Sequence, residues 1–149
     1  MSLTEQLLAD MKEAMKQREA GKVRLSTIRM VRAAQKEAEI DKGREMTDEE
    51  MIDIINREVK KRQDALPDYE KANRPESVKQ LHEEINILQG YLPEPLSTET
   101  ISVLIKETIE ELGANRPQDM GKVMKTVMPR LKGRADGKLV NQLVKEMLQ

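Results

Sequence analysis

Apolar residues return every three or four positions along almost the whole chain, and nowhere does a strand-like alternation persist. That period confines the fold to helices, each burying one stripe of its surface. The longest unbroken example runs through Val78, Leu81, Ile85, Leu88 and Leu92. Composition narrows what can fill the core. Two Tyr are the only aromatics, so aliphatic side chains and ten Met must do so, and most of these are good helix formers.

Local signals divide the pattern into elements. Ser2 and Glu5 form a capping box that opens a first helix, with Leu3, Leu7, Met11 and Met15 inward and Gly21 as its stop. A second helix runs from about Lys22 to Lys42, with Ile28, Val31, Ala34 and Ala38 inward, and Gly43 ends it. Thr47 and Glu50 form another capping box, starting a third helix that carries Met51, Ile52, Ile55 and Val59. Pro67 removes an amide donor and disfavours helical geometry at Leu66, which predicts a kink or break there. Pro75 suits the first turn of a fourth helix, capped by Asn73 or Arg74.

Leu92-Pro93-Glu94-Pro95-Leu96-Ser97 then interrupts the helical pattern. The expected fold is therefore all-α: an N-terminal bundle of about four helices over residues 1–92, a proline-rich linker over 93–97, and a small three-helix domain over 98–149. In that domain Ser97 caps a helix from Thr98 to Leu112, and Gly113 closes it. A helix after Pro117 carries Met120, Val123, Met124, Val127 and Leu131, with Pro129 near its end and Gly133 beyond. Asp136 caps the last helix, which buries Leu139, Val140, Leu143, Val144 and Met147.

Several kinds of chemistry are excluded or unsupported. With no Cys there is no disulfide, thiolate metal site or Cys nucleophile. The single His82 has no partner with which to hold a metal, and it reads as a surface or boundary residue. Adjacent carboxylates such as Glu49-Glu50, Glu83-Glu84 and Glu110-Glu111 diverge by about 100° on a helix, so they read as solvated faces. Five serines lack a nucleophile-elbow pattern, and no phosphate-cradling glycine loop is present. No catalytic residue, metal or cofactor is expected. The polar start and the lack of a long apolar run predict a soluble, cytoplasmic protein without membrane association.

Charge is the uneven feature. The chain as a whole carries −1, yet Arg116, Lys122, Lys125, Arg130, Lys132, Arg134 and Lys138 face only Asp119 and Asp136, a local charge of +5. The turn from Lys132 to Lys138 sets three cations around a helix N-terminus, where backbone amides favour an anion. Gly133 and Gly137 would admit a phosphate closely, whereas Asp136 would compete for the same amides. A plain helix joint is the competing reading. Lys22, Arg29, Arg32 and Lys36 share one face of the second helix and read as solvated, as does the run Arg57-Glu58-Val59-Lys60-Lys61-Arg62. Met120, Met124 and Met128 step by four, as core filler or as an adaptable groove for a partner helix.

Asp119-Met120-Gly121-Lys122-Val123-Met124, followed by Met128-Pro129-Arg130-Leu131-Lys132-Gly133-Arg134-Ala135-Asp136-Gly137-Lys138-Leu139-Val140, resembles the signature of the GatB/YqeY family. The likeness extends over the full chain and includes Tyr91-Leu92-Pro93. It implies kinship with the helical and tail domains of the GatB subunit of tRNA-dependent amidotransferases, whose tail contacts the tRNA body. The ATP-dependent and glutamine-hydrolysing parts of those enzymes have no counterpart here, so the isolated chain is expected to turn over neither. The resulting expectation is a non-enzymatic tRNA-binding or tRNA-amidation accessory module. Its RNA contacts would come from Lys122, Lys125, Arg130, Lys132, Gly133, Arg134, Gly137 and Lys138. Without aromatic platforms, such contacts would follow phosphates rather than stack on bases. A helical protein–protein adaptor is one alternative. Another is a component of a glutamine-dependent carbon–nitrogen ligase, active only with amidotransferase subunits as partners.

Overall fold

The computed structural model describes residues 1–131 and 134–149. Among them the architecture is all-α, with seven α-helices and no strand. The chain divides into two compact units, Met1–Leu92 and Pro93–Gln149.

In the first unit, both sides of the Ser2/Glu5 capping box are formed, and α1 spans Leu3–Lys16. A 3-10 turn, Arg18–Gly21, leads into α2, Lys22–Lys42. Gly21 has a steric reason for being glycine: a Cβ there would sit 2.2 Å from the Ala14 carbonyl oxygen. Gly43 ends α2 in the left-handed conformation at φ 68°. The Thr47/Glu50 box opens α3, Asp48–Lys71, and α4 spans Pro75–Gln89. Leu3, Leu7, Ile28, Val31, Met51, Ile55, Ile85 and Leu88 form the centre of this core. Full burial of each such side chain is worth about 1.5–3 kcal/mol. Thr27 and Gln35 are buried in the same bundle with their hydrogen bonds made, to Val23 O and to Thr4 and Glu39 respectively.

Four expectations for this unit are corrected. Pro67 does not break α3, which continues through it to Lys71. The carbonyl that Pro67 leaves without a helical donor belongs to Gln63, an exposed position where water can serve. Met15 is 51% exposed, and Ala14 is buried in its place, because α2 approaches closely at Gly21. Leu92 lies beyond the end of α4, although it still packs on the core. Finally, the charged runs are not wholly solvated. Glu58, Arg62 and Glu84 are 3%, 5% and 7% exposed, at the contact between α3 and α4. Arg62 Nη1 donates to Glu58 O at 2.9 Å and Oε1 at 3.2 Å, and Nη2 donates to Glu84 Oε1 at 3.4 Å.

The second unit holds α5 (Thr98–Leu112), a 3-10 turn (Pro117–Asp119), α6 (Met120–Leu131) and α7 (Gly137–Met147). Ser97 accepts from Thr100 N, and Gly113 closes α5 at φ 63°. Ile101, Ile105, Val123, Val127, Leu131, Val140 and Val144 form the core. Met147, expected inward, is 38% exposed, and Leu148 is buried beyond the end of α7. Gly133, expected to close α6, lies outside the described residues.

Candidate nucleic-acid interface

The inward stripe of α6, Val123, Val127 and Leu131, fixes what its opposite side presents. Lys122 and Lys125 therefore fall on the exposed face, and both are solvent-accessible. Neither makes an ion pair with a carboxylate among the described residues. Arg130, one turn further on, differs. Its Nη2 meets Glu111 Oε2 at 2.8 Å, and its Nη1 donates to Thr108 Oγ1 at 3.0 Å. Thr108 is buried and donates in turn to Leu104 O at 2.8 Å. Arg130 thus ties α6 to α5, and Glu111 offsets its charge.

The turn into α7 is held by backbone bonds. Leu96 N donates to Arg134 O at 2.8 Å, and Arg134 N donates to Leu131 O at 3.0 Å. The Arg134 side chain is exposed, with Nε donating to Glu94 O at 3.4 Å. That carbonyl carries no net charge, so the guanidinium remains an unneutralised cation. Asp136 caps α7 by accepting from Lys138 N at 3.1 Å. Its carboxylate therefore occupies an amide that a phosphate would otherwise meet. The Lys138 side chain is exposed. At Gly137 an added Cβ would meet only the Met128 Cε, at 3.8 Å, so the protein itself leaves that approach open. Lys132 and Gly133 lie outside the described residues.

Four of the expected contact residues therefore keep an exposed charge unmatched by a carboxylate among the described residues: Lys122 and Lys125 on α6, and Arg134 and Lys138 at the entry to α7. The partners of Arg130 were not legible in the sequence, since Thr108 and Glu111 lie some twenty residues away on another helix. Met120, Met124 and Met128 are partly buried and pack against the core. Among the described residues, no three His, Asp or Glu side chains gather as a metal ion would require. No described helix is long and apolar enough to cross a membrane.

The sequence matches the model of a family described as Yqey-like protein over residues 4–148. It is also 30% identical over 145 residues to Altered inheritance of mitochondria protein 41, mitochondrial, of Pyrenophora tritici-repentis, an alignment covering 95% of this chain and 78% of that protein.

Proposed function

The chain belongs to the YqeY family, and we propose that its C-terminal unit binds the phosphate backbone of folded RNA, in particular the tRNA body, as a non-enzymatic accessory to tRNA amidation. The observation that carries this reading is the set of unmatched cations on one small unit: Lys122, Lys125, Arg134 and Lys138. A chain of net charge −1 would otherwise have little attraction for RNA. The two Tyr, Tyr69 and Tyr91, both lie in the other unit, so the C-terminal unit has no aromatic face on which to stack a base. Recognition then works by charge and shape, with little dependence on sequence, in the tRNA-containing cytoplasm.

Titration of bulk tRNA at increasing NaCl tests this. Four phosphate contacts give a log–log slope of about −3 to −4. Lys122→Gln/Lys125→Gln/Lys138→Gln should weaken binding to every tRNA and make the slope shallower by about 2–3 units. Unchanged affinity and slope in a variant of parental helicity would refute the reading. The amidation role has its own assay: the chain should raise tRNA-dependent amidation by a complete amidotransferase, and no such rise would remove that part alone.

A further inference from the structure

The outward side of α2 also carries a stripe of cations, beside the exposed Glu37 and Ile40. With about 100° of turn per residue, Lys22, Arg29, Arg32 and Lys36 fall within an arc of roughly 80°, along roughly 21 Å of helix. No acidic residue lies inside that arc. Glu39 stands at its edge, but its Oε2 accepts from Gln35 Nε2 at 3.2 Å and from Met46 N at 3.0 Å. Lys22, Arg29 and Lys36 are exposed and make no ion pair among the described residues. Arg32 Nη1 instead donates to Met11 Sδ at 3.6 Å, a contact from α1 that positions the guanidinium without neutralising it. Met11, Arg29, Arg32, Ala33 and Lys36 line a shallow cavity of about 260 Å³.

We propose that this stripe on α1 and α2 is a second phosphate-binding surface, taking the sugar–phosphate backbone of the same folded RNA. The proposal rests on reading the chain as an RNA binder, but it places a separate contact on the N-terminal unit. Two guanidinium groups and an ammonium around a small cavity suit a compact tetrahedral anion, since guanidinium forks pair with phosphate oxygens two at a time. The length of the stripe matches an extended polyanion rather than a single ion. An acidic protein helix would need an apolar seam beside its carboxylates. Between Lys22 and Lys36 the arc offers only the half-buried Leu25, with Ala33 about 20° outside it, and the exposed Ile40 follows as a single apolar side chain one turn beyond Lys36.

The test uses the full chain, with a short RNA duplex and bulk tRNA titrated at several NaCl concentrations. Arg29→Gln/Arg32→Gln/Lys36→Gln should weaken binding about 10-fold or more at low salt and make the slope shallower by about 2–3 units. Parental affinity and slope in this variant would overturn the proposal. If its helicity falls, Arg29→Gln/Lys36→Gln removes two contact-free side chains, and a slope change of about two units is expected of it instead. The C-terminal triple variant separates the two surfaces. Loss there alone leaves the proposed function standing and sinks the α2 surface. Loss in the α2 variant alone does the reverse, and no loss in either refutes both. Displacement of RNA by poly-glutamate at equal charge concentration would assign the stripe to acidic proteins and also overturn the proposal.

Discussion

Arg62→Met tests how the buried charges of the first unit are held. The substitution keeps much of the aliphatic volume of a side chain only 5% exposed, and removes its charge. Glu58 would retain Lys61 Nζ at 3.0 Å, on a largely exposed lysine, whereas Glu84 would lose its cation. Removing one partner of a buried pair costs about 3–5 kcal/mol. Two features favour the lower end. Glu58 keeps Lys61, and the variant also removes Arg62 Nε, a buried donor with no hydrogen-bond partner. A loss of about 3 kcal/mol is therefore expected, a large share of the roughly 5–15 kcal/mol available to an ordinary domain. Tyr69 and Tyr91 both lie in Met1–Leu92, so tyrosine fluorescence during urea unfolding of the full chain reports this unit selectively. Arg62→Met/Glu84→Leu should recover most of the loss, because no carboxylate is then left unpaired on α4 at this contact. A loss below about 1 kcal/mol for the single variant, or no recovery in the double, would refute the argument from buried charge.

Other outcomes follow from single contacts. Gly21→Ala drives a Cβ against the Ala14 backbone, so it should destabilise the first unit by about 3 kcal/mol or more in the same urea assay. Hydrogen bonds from Arg44, then Lys42 and Thr47, hold the Glu50 carboxyl well below the usual carboxylate range. Its contribution to stability is thus present above the unfolded value, near pH 4.5, and fades as pH falls below it. Glu50→Gln should flatten the dependence of the urea midpoint on pH between about 5 and 2. Partial burial, followed by donation to Asp10, pushes the Tyr91 hydroxyl above the usual tyrosine range. Its contribution is complete below about pH 10 and is lost as pH rises beyond. The part of the alkaline absorbance rise that Tyr91→Phe removes should therefore come at higher pH than that of free tyrosine.

What the sequence determined by itself was whatever depends on neighbours within one turn. Ser2 with Glu5, Thr47 with Glu50, Ser97 and Asp136 all form their caps, and Gly43 and Gly113 close their helices in the left-handed conformation. These bonds span two to four residues, so spacing specifies them. The exposed placement of Lys122 and Lys125 was legible for the same reason, as the complement of the Val123–Val127–Leu131 stripe. The tertiary structure decided what depends on a distant partner. Arg62 is buried because α4 brings Glu84 to it across 22 residues of sequence, and Arg130 is committed to α5 by Thr108 and Glu111. Met15 gives way to Ala14 because the chain returns at Gly21 with no room for a larger side chain. Helical periodicity tells which residues share a face. Only packing tells which charge on that face meets a countercharge, since the gain from pairing and the cost of desolvation both depend on the opposing helix.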